Sequence, residues 1–250
     1  MAGVKVASPR TAELCRQCRQ ACSGVFADLT EAAREEFISL MRPMALGQGE
    51  TVFHEGVPAF GLYVLCQGKV KLAKRTRAGH SQILKLLGPG EILGEKTMFD
   101  RETYTCYAKT LEPSLLAFIP RESFLQFLRR HPSVALRLLE KMSRESKVFG
   151  DRLVEITSRS ARERVARSLV ELAQAFGEET NAGWDIGVEL PRGELAEMAG
   201  VSTETAIRVL SEFKDRGVVV LPGRRIVILK RDEVRALAHP FRTFLRENPA

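Results

Sequence analysis

Long apolar runs are missing from this 250-residue chain. Nowhere do the roughly 20 consecutive apolar residues of a bilayer-spanning helix occur. The start of the chain, where Lys5, Arg10 and Glu13 lie close together, has no apolar stretch of the kind that marks a secretory leader. A cytoplasmic protein that does not enter a membrane is therefore expected. Histidine is sparse and scattered, at His54, His80, His131 and His239. No serine or cysteine sits in a nucleophile elbow, and no glycine loop follows a strand and opens a helix to cradle a phosphate. These absences leave an enzyme reading without support. Acidic residues are in deficit, 31 against 38 basic ones for a formal charge of +7, which favours an anionic partner such as nucleic acid. Tryptophan is down to a single residue, yet 44% hydrophobic and 28% charged residues still describe a folded chain with a buried core.

Cysteine is scarce and odd in number: Cys15, Cys18, Cys22, Cys66 and Cys106. A disulfide framework does not fit that count in a reducing compartment. The first three form C-x2-C-x3-C within eight residues, a crowding that asks for a chemical explanation.

What is present changes character along the chain. Ala33, Phe37, Ile38 and Leu40 recur at helical spacing behind Thr30, a good N-cap. From Met44 to Ile119 short apolar runs are broken repeatedly by glycine, among them Gly56, Gly61, Gly68, Gly79, Gly88 and Gly94. That rhythm predicts a compact β-barrel or jelly roll, with strands at Leu62 to Leu65, Lys69 to Ala73 and Leu115 to Ile119 and a tight corner at Gly68. Beyond Pro120 the pattern is helical. Ala135, Leu139, Met142, Ser146, Phe149, Leu153 and Ile156 step alternately by four and three, a heptad seam that predicts a dimerisation helix. The same stripe would also suit a helix that merely covers the barrel. After a break at Ser158 to Ser160, a further helix over Ala161 to Phe176 carries Val165, Leu169, Leu172 and Ala173 on one face.

The densest signal is PRGELAEMAGVSTETAIRVLSEFKDRGVVVLPGRRIVIL, from Pro191 to Leu229. It reads as helix, turn at Gly200, second helix capped by Ser202, then a hairpin wing. Ala206, Val209, Leu210 and Phe213 form the inner side of the second helix. Thr203, Glu204, Ile207 and Arg208 are left facing outward, where a major groove would lie. Arg208 can donate twice to guanine and Glu204 can accept from cytosine N4. Ser202, Thr203 and Thr205 are placed for phosphates, as are Arg224 and Arg225 at the wing tip. An ordinary surface ion pair between Glu204 and Arg208 is the plainer alternative, which the surrounding turn, cap and wing outweigh.

LYVLCQGKVKL from Leu62, GPGEILGE from Gly88, AFIPRESF from Ala117 and VSTETAIRVLSEF from Val201 resemble the Crp/Fnr superfamily of bacterial regulators. The resemblance implies an α+β architecture. Residues 1–29 form a cysteine-bearing segment, 30–131 a double-stranded β-helix (jelly-roll) sensor of the cyclic-nucleotide-binding type, and 132–158 a dimerisation helix. A winged helix-turn-helix follows over 159–230, with a C-terminal extension over 231–250. It further implies a homodimer on a two-fold symmetric DNA site, with RNA polymerase as a partner. In such a sensor Gly94 and Glu95 match the ribose-binding part of an effector pocket. The phosphate-binding arginine and serine positions fall on Tyr104 and Thr105, which removes the main countercharge and argues against cyclic AMP.

Cys15, Cys18 and Cys22 stand where FNR-like sensors hold a [4Fe–4S] cluster. The fourth thiolate is Cys66 or Cys106, since the FNR position corresponds to Ala117. A structural zinc ion is an alternative for the same thiolates. A thiol redox switch promoted by Arg16 and Arg19, a small-molecule effector without any cofactor, and an incidental cluster of cysteines also remain. A regulatory module of the same barrel that does not bind DNA would have no use for the Val201 to Phe213 helix and its wing.

Overall fold

The computed structural model describes residues 24–76, 79, 81–99 and 103–238, with the side chains of 152–157 outside that description. Cys15, Cys18 and Cys22 consequently lie outside the described residues, as do His80 and His239. The chain divides into two compact units, Met1–Val148 and Phe149–Ala250, with the boundary inside a long helix.

In the first unit a short 3-10 turn (Gly24–Phe26) and helix α1 (Glu31–Ser39) precede eight strands. These are β1 (Arg42–Leu46), β2 (Thr51–Phe53), β3 (Gly61–Gln67), β4 (Val70–Arg75), β5 (Ser81–Leu87), β6 (Ile92–Leu93), β7 (Tyr107–Thr110) and β8 (Ser114–Pro120). Thr30 caps α1 as expected, accepting from the Ala33 amide at 3.3 Å. The strands make two antiparallel four-stranded sheets, ordered β1-β8-β3-β6 and β2-β7-β4-β5. Two of the expected strands fall inside β3 and β8, and the third, expected from Lys69, begins one residue later as β4. Gly68, at φ 89°, turns the β3–β4 corner so tightly that a Cβ there would lie 2.3 Å from Ser114 Oγ.

Side chains alternate across a strand, and β3 and β8 use this to serve two cores. Leu62, Val64 and Cys66 of β3, with Leu115, Ala117 and Ile119 of β8, face Phe26, Phe37, Phe124 and Phe127 on the helical side. Leu65 and Leu116 point the other way, into a second core with Phe53, Val70, Leu93 and Tyr104. The pairing of Val64 with Ala117 sets this register. The helices closing the first core are α1, α2 (Arg121–Arg130) and the start of α3 (Pro132–Ser158). Phe26 belongs fully to that core, so the sensor begins earlier than residue 30.

The seam predicted along α3 is divided by the structure. Val134 and Leu138 are buried against the barrel, and Ala135 and Met142, both seam positions, pack on the same core. Leu139 and Phe149 stay exposed, joined by Leu136, which lies outside the predicted seam; Ser146 is exposed too. A stripe wide enough to cover a barrel and still leave an apolar edge looks like one heptad seam when read from spacing alone. The side chains of Leu153 and Ile156 are outside the described residues.

The second unit contains α4 (Ala161–Phe176), β9 (Glu178–Thr180), β10 (Gly183–Asp185), α5 (Arg192–Ala199), α6 (Thr203–Asp215), β11 (Val219–Val220), β12 (Val227–Ile228) and α7 (Arg231–Ala238). A reciprocal capping box between Ser160 and Glu163 starts α4. Its buried face includes all four expected residues, Val165, Leu169, Leu172 and Ala173. The wing strands extend a four-stranded sheet, β11-β12-β10-β9, rather than standing alone. Helix α7 buries Val234 and Ala238, so the predicted extension is part of this unit at least that far. No helix among the described residues is long and apolar enough to cross a membrane.

Phe37 is fully buried, with its ring centroid 4.0 Å from Phe26 and 5.3 Å from Phe127. Phe37→Ala should cost about 3–5 kcal/mol of stability in urea titrations. Phe60→Ala, at a position 73% exposed, should shift it by less than about 0.5 kcal/mol; equal effects would refute this placement of the core.

Candidate DNA interface and sensor pocket

Gly200 ends α5 in the left-handed region, at φ 62° and ψ 43°, where a side chain would be strained. Two residues later Ser202 caps α6, accepting from the Thr205 amide at 3.2 Å while its hydroxyl donates to Thr205 Oγ1 at 3.0 Å. Ala206, Val209, Leu210 and Phe213 are buried. Thr203, Glu204, Ile207 and Arg208 are exposed on the opposite face. The structure thus gathers these four as an outward set at the start of one helix. Ser202 and Thr205, assigned to phosphates from the sequence, spend their side chains on the cap.

The wing residues also separate. Arg224 is exposed at the tip. Arg225 turns back to form an ion pair with Asp185 of β10, a buried carboxylate whose other oxygen accepts from the Gly187 amide at 2.8 Å. The side chain of Arg225 remains more than half exposed while holding that carboxylate. Two arginines escaped the sequence reading. Arg192 opens α5 and donates to the Gly223 carbonyl of the wing turn at 3.1 Å. Arg164 of α4 donates to carbonyls of the helix-turn-helix. The arginine directly after Pro191 was a local signal for the first; nothing local marks the second, whose partners lie 35 and 36 residues away.

In the sensor unit, the residues matched to an effector pocket are already engaged. Gly94 adopts φ 82°, and a Cβ there would lie 2.8 Å from the Tyr104 ring. Tyr104 is buried, donates its hydroxyl to the Gly61 carbonyl at 2.7 Å, and stacks on Phe53 with centroids 4.0 Å apart. Its own burial, with Tyr63 beside it, pushes its phenol above the usual range. Thr105 is exposed. Glu95, 4% exposed, pairs with Lys141 of α3 at 2.9 Å. Lys141 also holds Glu145 at 3.0 Å, and Glu145 holds Lys85 at 3.0 Å and Lys96 at 3.3 Å.

A chain of alternating charges therefore ties α3 to the barrel through Glu95, the residue matched to ribose binding. Beside it opens a cavity of about 640 Å3 lined by Lys85, Glu91, Arg137, Lys141, Arg144 and Glu145. An anion entering there must compete with carboxylates already bound to those cations.

Cys66 is fully buried in the helical-side core, two positions along β3 from the residue paired with Ala117. Cys106 sits beside the other core, immediately before β7, and burial pushes its thiol up to about 11, against a smaller pull from Lys96. The two candidates for a fourth thiolate thus face different sides of the sheets.

Residues 43–131 match the cyclic nucleotide-binding domain family, and residues 163–237 match the Crp-like helix-turn-helix domain. The chain is 34% identical to the cyclic AMP receptor protein of Thermus thermophilus over 70% of its length and 79% of the relative's. It is 28% identical to the CRP-like cAMP-activated global transcriptional regulator of Mycobacterium tuberculosis, over 82% of this chain and 92% of that one. The solved structure of CLP, the c-di-GMP responsive global regulator of Xanthomonas campestris, has the same fold, with a TM-score of 0.71 at 22% identity over 80% of this chain and 99% of that chain. The named relatives are transcription regulators, not enzymes.

Burial alone would raise the pKa of Glu145, but Lys85 and Lys141 outweigh it and hold the carboxyl at about 2, below the ordinary 4.5. A depressed carboxylate contributes stability above its unfolded pKa and loses it as pH falls through the folded one. Glu145→Gln should therefore lower the urea midpoint at neutral pH, and the gap from wild type should close as pH is taken from 4.5 toward 2. A gap independent of pH would contradict the ion-pair account.

Proposed function

The chain belongs to the Crp/Fnr family of DNA-binding transcription regulators, and from that premise we propose that it works as a homodimer reading a two-fold symmetric duplex, under the control of its N-terminal cysteines. The observation that carries the DNA-reading part is the exposed face of α6. Thr203, Glu204, Ile207 and Arg208 project from a helix whose other side is locked by four buried residues. Arg208 donates to guanine, Glu204 accepts from cytosine, and Thr203 with Arg224 meets phosphates. The exposed Leu136, Leu139 and Phe149 of α3 offer a second copy an apolar edge. RNA polymerase is the further partner in this reading.

For the signal, the charge chain from Glu95 to Lys85 supports control by something other than a cyclic nucleotide. The cysteines supply the alternative, with Cys66 as the fourth thiolate in preference to Cys106. Cys66 shares its core with Phe26, and Phe26 follows Cys22 by four residues, a reach of at most about 14 Å. With Cys15, Cys18 and Cys22, Cys66 would complete the four thiolates of a [4Fe–4S] cluster, which would supply sensitivity to oxygen, nitric oxide or redox state. The chain's own residues do the rest: β3 fixes Cys66, Phe26 anchors the segment that follows the three cysteines, and both pack against the base of α3.

Anaerobic purification with iron and acid-labile sulfide analysis tests the sensor. About four of each per monomer are expected in wild type and in Cys106→Ser, with a visible band that bleaches in air, and both should be lost in Cys66→Ser. Iron retained by Cys66→Ser but lost from Cys106→Ser would reverse the ligand choice. A colourless protein containing zinc, or one whose melting temperature rises with cyclic AMP, would overturn the cluster reading.

A further inference from the structure

The helix-turn-helix is held from behind by one guanidinium. Arg164, on α4, donates Nε to the Ala199 carbonyl at 3.0 Å and Nη2 to the Gly200 carbonyl at 3.4 Å. Its Nη1 donates to the Arg159 carbonyl at 2.8 Å, in the short connection between α3 and α4. Ala199 is the last residue of α5 and Gly200 its left-handed cap. Carbonyls at a helix C-terminus have no partner within the helix and carry the negative end of its dipole. A cation answers both needs. Charge-assisted bonds are roughly twice as strong as neutral ones, and a planar fork fixes direction as an ammonium cannot.

The turn that Arg164 holds is the one that aims α6. Only Val201 and Ser202 separate Gly200 from the first residue of α6, and Glu204 and Arg208 occupy its first two turns. Farther along, Arg162 pairs with Glu212 at 3.0 Å and sits over the Phe213 ring at 5.7 Å. Glu204 and Glu212 are eight residues apart, about 12 Å along a helix. α4 thus holds the turn that leads into α6 through Arg164, next to the end that carries the base-reading residues, and the far part of α6 through Arg162. A bidentate base contact tolerates little displacement, so a small tilt at that end changes discrimination between bases while leaving the charge near the phosphates almost unaltered.

We propose that Arg164 is a positioning residue for sequence recognition: by holding the Ala199, Gly200 and Arg159 carbonyls together, it sets the angle at which α6 presents Glu204 and Arg208. The proposal rests on α6 being the base-reading helix. Arg164 itself needs no contact with DNA.

The test uses the full-length protein and two probes: a duplex that the wild type enriches from a random-sequence library, and an unselected random duplex. Arg164→Gln should weaken binding to the enriched duplex about tenfold or more, comparable to losing one bidentate base contact. Binding to the random duplex should stay within about twofold, because phosphate attraction is unchanged. Arg164→Lys should recover part of the discrimination, and in both variants hydrogen exchange should quicken at the Gly200 to Thr205 amides. A purely structural role would lower both affinities in parallel, and that result, or an unchanged ratio, overturns the proposal. Should Arg164→Gln fail to fold, Arg164→Lys decides: a folded protein with undiminished discrimination also overturns it. Arg208→Ala separates the two layers. Full discrimination retained in Arg208→Ala removes the base-reading assignment itself, whereas discrimination lost there and kept in the Arg164 variants removes only the positioning role.

Discussion

Everything in the sensor unit turns on how α3 is seated against the barrel. Val134 and Leu138 are driven into the core shared by β3, β8 and the phenylalanines of α1 and α2, and Lys141 and Glu145 follow on the same side to meet Glu95, Lys85 and Lys96. Successive helix positions are 100° apart, so this seat decides what is left over. Leu136 and Leu139 have no place in it and remain exposed. The apolar edge left on α3 is a consequence of the barrel contact, and the charge chain that completes the contact takes up Glu95. One relative in this family is a cAMP-activated regulator, and in this chain Glu95, matched to the ribose-binding position, is paired with Lys141.

The same logic of two-sidedness runs through the sheets. β3 and β8 are buried on both faces, and a one-residue alternation places Cys66 with Phe26 and Ala117 but sends Leu65 and Leu116 to the inter-sheet core. This is what distinguishes the two described cysteines, Cys66 and Cys106. Read as a list, Cys66 and Cys106 are equivalent; read through the pleat, only Cys66 faces the element that continues from the N-terminal cysteines.

Local chemistry made much of this legible from sequence. Thr30, Ser160, Gly200 and Ser202 mark helix ends through caps and left-handed turns that depend on few neighbours, and α6 could be read residue by residue because its inner and outer faces differ in polarity. Gly68 announced its corner for the same reason. The failures share a different cause. The α3 stripe served two surfaces at once, and spacing cannot say where one ends. β9 and β10 are three residues each, too short to show a period, so the sheet that the wing joins and the Asp185 partner of Arg225 were not read from spacing. The bonds of Arg164 to Ala199 and Gly200, and the pair of Lys141 with Glu95, join residues brought close only by the fold. Such contacts leave no mark in the sequence around either residue.

The proposed DNA reading requires two copies of α6 to meet one duplex in a symmetric way. Hydroxyl-radical footprinting on the enriched duplex, carried out anaerobically with the full-length protein, measures this most directly. Two protected half-sites related by two-fold symmetry and centred about one helical turn apart are the predicted result. A single asymmetric patch of protection, or uniform protection without half-sites, would contradict it.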